Sequence, residues 1–219
     1  MKYKFLLQPE YNYAFMDCEF NKIETEIKNV FNFELISVGI VITDAKLNIK
    51  EKIYSVIRPV NFNRLHSDSK QLTGLTNQDI EAAPTFRQFI NKNIELFEKY
   101  NIKHFFTYDI HDKTVIQKEY EKNNIKDIGK FIVFYNKIYD IKPVLNSVLP
   151  YNKTNNWGLT QVSKYYNVKE YNKHNALDDA IVLEECFKKY LDNYHNPYYY
   201  NKLKKTVQNN KHTKKKDCL

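Results

Sequence analysis

An apolar run opens at Tyr13 and, from Met16, gives way to alternation in "YAFMDCEF", where Met16 and Cys18 interleave with Asp17 and Glu19. Side chains on a strand point alternately to its two faces, so a strand here carries both acids on one face and Cys18 on the other. "LISVGIVITD" (35–44) and "KIYSVIRPV" (52–60) are rich in Val and Ile and read as two further strands, with "AKLN" as the hairpin turn and Pro59 closing the third strand. "KHFFTY" (103–108) reads as a short fourth strand and "KFIVFYNKIYDI" (130–141) as a fifth.

Between the strands the period changes to that of helices. In "TFRQFINKNIELFEKY" (85–100), Phe86, Phe89, Ile90, Ile94, Leu96 and Phe97 fall mostly on one stripe. The segment before it breaks into short helical pieces, with Gly74 as a stop and Thr76 as an N-cap ahead of Asp79. "HDKTVIQKEYEKN", "KPVLNSVL" and "LTQVSKYY" are helical. The last helix, 175–194, places Ala176, Ala180, Leu183, Phe187 and Tyr190 at core spacing. Three hairpin-joined strands followed by helices alternating with two more predict an α/β protein: a mixed five-stranded sheet flanked by helices.

Composition narrows the classes of function. With 219 residues, 42% of them hydrophobic and 15% aromatic, the chain can bury a core as one domain, and wholesale disorder is excluded. Three scattered cysteines (Cys18, Cys186, Cys218) make neither a disulfide framework nor a Cys-rich zinc site. "MKYKFLLQPEY" lacks the apolar run of a signal peptide, no stretch reaches a membrane span, and "KDCL" fits neither prenylation nor retention. The expectation is a soluble, cytoplasmic protein. Seven lysines against one aspartate in residues 201–219 give +6 of the net +8, leaving +2 for residues 1–200. The expected organisation is a body over 1–195 and a basic tail over 196–219, the latter suited either to a polyanion or simply to solubility.

The chemistry lies in the acids. Two like charges side by side on a buried face are costly unless a cation sits between them. Asp109 occupies the N-cap position of the helix after the fourth strand, and Asp112 falls in its first turn. In "HNALDDA", Asn175 with Asp178 makes a cap pair, which leaves Asp179 free beside the core-facing Ala180, with His174 just before the helix. Ligands bind at such strand ends and helix starts. Asp17, Glu19, Asp112 and Asp179 together form a hard oxygen set suited to Mg²⁺ or Mn²⁺, and His174 suits a general base. Each part alone has a plainer reading: a solvated strand face, a helix-start acid, a cap beside an exposed histidine.

"FMDCEF", "TYDIHDKTVI" and "HNALDDA" resemble, in order, the three motifs of the DEDDh (DnaQ-like) 3′→5′ exonucleases of RNase H-like fold, over roughly residues 11–195. The resemblance implies an RNase H-like sheet and a pair of divalent ions, Mg²⁺ or Mn²⁺. It implies that Asp17 bridges both ions, Glu19 and Asp179 complete one site, Asp112 serves the other, with Asp109 as its rival, and His174 is the general base. The implied reaction is removal of nucleoside 5′-monophosphates from the 3′ ends of single-stranded nucleic acid. Where proofreading members continue as Glu-Thr-Thr-Gly, this chain has Glu19-Phe20-Asn21, which is similar to the KapD, small-RNA and histone-mRNA branch and favours RNA over DNA. "QLTGLT" (71–76) resembles a family turn whose aliphatic residue, here Leu72, wedges the terminal base, and Phe20 is placed to stack on it. Two other readings stay open: a nucleic-acid-binding module with weak or no catalysis, and a DNA proofreading partner of a polymerase.

Overall fold

The computed structural model describes residues 7–26, 31–123, 128–149, 157–169 and 172–194; the basic tail expected over 196–219 lies outside them. Strands β1 (Asn12–Glu24), β2 (Phe31–Thr43) and β3 (Ile49–Val56) form an antiparallel meander. The turn between β2 and β3 is fastened by the Asp44 carboxylate, which accepts from the amides of Lys46 and Asn48, both at 2.9 Å. Strands β4 (Ile102–Thr107) and β5 (Ile138–Asp140) add in parallel, giving the order β3-β2-β1-β4-β5. The mixed five-stranded sheet is as the apolar pattern predicts.

Helices α1 (Ser67–Thr73), α2 (Asn77–Glu81) and α3 (Phe86–Lys99) follow the meander. Gly74 ends α1 with φ 71°, a left-handed conformation glycine adopts without strain. Thr76 and Asp79 cap α2 reciprocally, and Thr85 and Gln88 do the same for α3. Helix α4 (Ile110–Lys122) follows β4, and α6 (Lys142–Asn146), α7 (Leu159–Tyr166) and α8 (Ala176–Tyr194) complete the chain.

The apolar run expected to be a long fifth strand divides instead into helix α5 (Ile128–Asn136) and the three-residue β5. A continuous apolar run carries no period to separate strand from helix. Tertiary packing decides it: Phe134 is buried against Phe97 and Phe105 and Phe131 against Tyr120, while Ile132 and Val133 turn outward.

Two cores sandwich the sheet. Ala14, Met16 and Cys18 of β1 pack with α3, α4 and α5, whereas Tyr13 and Phe15 pack with α6, α7 and α8. Asp17 and Glu19 continue the Tyr13–Phe15 face, so they point toward α8, and Cys18 points away into the opposite core, as the alternation requires. No helix among the described residues is long and apolar enough to cross a membrane.

Candidate active site

The acids meet because α8 begins on top of β1's neighbour. Asp17 pairs across the ladder with Gly39 of β2, and Glu19 with Ser37. A β-carbon built on Gly39 would stand 2.2 Å from the Ala176 carbonyl and the Leu177 nitrogen. Only glycine permits that approach, and it lays the first turn of α8 directly beside Asp17. Asn175 caps this turn through Oδ1, which accepts from the amides of Leu177 at 3.1 Å and Asp178 at 3.2 Å. The backward contact from the helix comes from Asp179 rather than Asp178: Asp179 Oδ2 accepts the His174 amide at 3.0 Å. His174 has φ 60°, a left-handed backbone rare outside glycine and held here by that hydrogen bond.

Glu19, His174 and Asp179 each turn a ligand atom to within 4.8 Å of the others. They open into a cleft of about 500 Å³ lined also by Asp17, Phe20, Asp109, His111 and Asp112, with Tyr108 and the segment Gly158–Gln161 as its far wall. Asp17, Glu19, Asp112, Asp179, His174 and Phe20 are thus brought together. Leu72 is not: it sits on α1, 50% exposed, and does not line the cleft.

The electrostatics record a cluster of unneutralised acids. Burial, then the charges of Asp112, Glu19 and Asp179, push the Asp17 carboxyl well above the carboxylate range. Burial and then Asp179 raise Glu19 to about 8. Burial raises Asp112 as well, with Asp109, Glu19 and Asp140 adding to it. Asp179 is raised by burial, against the opposing His174 amide and imidazole. None of the ion pairs among the described residues involves Asp17, Glu19 or Asp112. Four inward carboxylates, three of them in no ion pair among the described residues, fit a divalent cation, and an oxygen-rich set with one imidazole fits Mg²⁺ or Mn²⁺.

Asp109 is differently employed. Its Oδ1 accepts the His111 amide at 3.0 Å, capping α4, and its Oδ2 pairs with Lys142 Nζ at 2.9 Å. Burial works to raise it, but Lys142 and the His111 amide outweigh that and hold it below its ordinary value. Asp112, in contrast, is 5% exposed and faces the other acids.

Sequence reasoning did not single out Gly39 or His111. The signal for Gly39 was present, since a lone glycine inside the strand run "SVGIV" marks a close backbone approach. His111 meets the rings of Phe20 and Phe33 edge-on at 5.0 and 5.1 Å, a contact no local pattern encodes.

The RNase_T family model, described as Exonuclease, matches residues 14–187. Among solved structures, a full-length 3′-exonuclease superposes with TM-score 0.67 at 18% identity, covering 84% of this chain and 62% of that one. The nuclease domain of 3′hExo, a DEDDh family member bound to rAMP, gives 0.66 at 19% identity, with 83% and 92% covered. E. coli exonuclease I with a dT13 oligonucleotide gives 0.64 at 16% identity, with 87% and 45% covered. The chain therefore spans about three fifths of the full-length 3′-exonuclease it resembles. Among curated protein sequences there is no significant match. The shared fold is the RNase H-like α/β exonuclease fold.

Proposed function

Because the chain belongs to the RNase_T exonuclease family, we propose that it is a metal-dependent 3′→5′ exonuclease acting on single-stranded nucleic acid. The observation that carries this reading is the convergence of Asp17, Glu19, Asp112, Asp179 and His174 on one cleft. The substrate class is RNA in preference to DNA, on the strength of Glu19-Phe20-Asn21, and the product is a nucleoside 5′-monophosphate. A histone mRNA stem-loop in one structural neighbour and an rAMP in another accord with RNA, while exonuclease I carries a DNA oligonucleotide.

Asp17, Glu19, Asp112 and Asp179 would hold a pair of divalent cations. Bound there, such cations would supply Lewis acidity toward the phosphoryl oxygen and the attacking water. The chain's own residues do the rest. His174, exposed at the mouth of the acid cluster, accepts the proton of the attacking water. The Asp179 carboxylate, by holding the His174 amide, fixes the backbone that carries the imidazole beside Glu19 and Asp179. Phe20, braced edge-on by His111, presents an aromatic wall for the terminal base. Asp109, engaged as a cap and with Lys142, keeps α4 in place so that Asp112 faces inward.

The test is incubation of labelled single-stranded RNA, DNA and duplexes with Mg²⁺ or Mn²⁺, resolving products by length and end group. Single-nucleotide 5′-monophosphate products, faster from RNA and abolished by chelator, are expected. Asp17→Asn abolishes turnover, and His174→Ala lowers kcat by about 10²–10⁴-fold. Undiminished turnover in either variant overturns the site.

A further inference from the structure

Asp17, Gly39 and Tyr54 form one cross-strand row, because Asp17 pairs with Gly39 and Gly39 with Tyr54. Directly paired residues share a face, so Tyr54 stands on the same side of the sheet as the acids, two strands away, or about 10 Å. Its hydroxyl is turned toward the Ser37 side chain, and Ser37 is the residue opposite Glu19. The ring therefore leans from its own row toward that of Glu19. It lies within electrostatic reach of Glu19 on one side and of Asp79, in the first turn of α2, on the other.

The other rings near the acids are already engaged, Tyr108 in packing and Phe20 in the cleft that takes the terminal nucleotide. Tyr108 is 6% exposed and its hydroxyl donates to Asn146 Oδ1 at 3.2 Å, while Phe20 is held by His111 and Phe33. Tyr54 is 41% exposed. A half-exposed ring carried on a sheet strand is suited to stacking, since its backbone is already ordered.

Resting on the exonuclease reading of the site, we propose that Tyr54 stacks on the unpaired nucleobase immediately 5′ of the scissile phosphodiester. The cleft at Phe20 takes the terminal nucleotide, and Tyr54, outside the cleft on β3, takes its neighbour. It is a substrate-binding residue for single strands and indifferent to base identity, because every base has a π-face.

The test measures binding apart from turnover. Fluorescently labelled single strands carry a hydrolysis-resistant phosphorothioate at the terminal linkage and either an intact or an abasic penultimate residue. Tyr54→Ala is expected to weaken binding of the intact strand about 5- to 150-fold and leave that of the abasic strand unchanged. Tyr54→Phe, which keeps the ring and loses only the hydroxyl, binds both as the wild type does. Tyr54→Leu, which keeps apolar bulk without a π-face, behaves as the alanine variant and guards against misfolding of the latter. Equal weakening for both strands, or none for either, overturns the assignment, as does a Tyr54→Phe loss as large as that of alanine. Hydrolysis of the unmodified strand is scored separately, so an inactive protein that still discriminates the abasic strand sinks the exonuclease reading and not the stacking contact.

Discussion

Glu19 binds its proton up to about pH 8 in the folded protein, against an ordinary value of 4.5, because burial and the neighbouring Asp179 disfavour its charge. The consequence for stability has a definite sign. Between those two values the folded state holds a proton the unfolded chain has released, so stability falls as pH rises through the window. Asp17, Asp112 and Asp179 are displaced in the same direction and add to the loss. A divalent cation among these carboxylates offsets the burial and the repulsion that raise them and stabilises the fold by binding the folded state alone. Thermal unfolding in chelator is therefore expected to show a lower Tm at pH 8 than at pH 5. Mn²⁺ or Mg²⁺ raises Tm more at pH 8 than at pH 5, and Glu19→Gln shrinks that metal-dependent difference. Buried Glu34 and Glu119, also raised by burial, contribute to the pH trend without responding to metal. A Tm insensitive to metal at pH 8 refutes the proposed ligand set.

Helix α8 reaches the site only because its first turn rests on Gly39. Gly39→Ala would set a methyl group 2.2 Å from the Ala176 carbonyl carbon and oxygen and the Leu177 nitrogen, atoms that belong to backbone and cannot rotate aside. The helix must lift, taking Asp179 and His174 away from Asp17 and Glu19. The expected cost is about 3 kcal/mol or more in stability, read by denaturant unfolding. A loss of activity comparable to that of His174→Ala is expected even where the variant is still folded. Full activity in Gly39→Ala means that α8 is not placed by this contact. The same elements show what a sequence discloses and what it withholds. Caps are local chemistry, so Gly74, Thr76 with Asp79, and Asn175 were readable from neighbouring residues. The acids were readable as strand-end and helix-start positions. Helix α5 was not, because "FIVFY" is apolar on every side and its distant neighbours Phe97, Phe105 and Tyr120 decide which of its residues turn inward. Nor was the distance of Leu72 from the cleft, which depends on how α1 packs across the end of β1 rather than on its own turn.

At the scale of the whole chain, charge is segregated. Residues 1–200 carry +2 and the cleft is lined by carboxylates, whereas residues 201–219 carry +6. A polyanionic substrate is repelled by that cleft until its acids are neutralised, so attraction at longer range has to come from elsewhere, and the lysines of 201–219 are the largest source in the sequence. Each phosphate neutralised on a single strand contributes about 0.7 to the slope of log K against log salt. Removing residues 196–219 is expected to weaken oligonucleotide binding at low ionic strength and to reduce that slope by up to about 5, the limit if all seven lysines engage phosphates. Above 0.2 M salt the two proteins converge, because the lost term is the screened one. Turnover at saturating oligonucleotide is unchanged, since none of the proposed ligands nor His174 lies in the removed segment. Titrations by fluorescence anisotropy at several salt concentrations give the slope directly. An unaltered slope assigns the lysines to solubility alone, and a lowered kcat shows that the body over 1–195 is not catalytically self-sufficient.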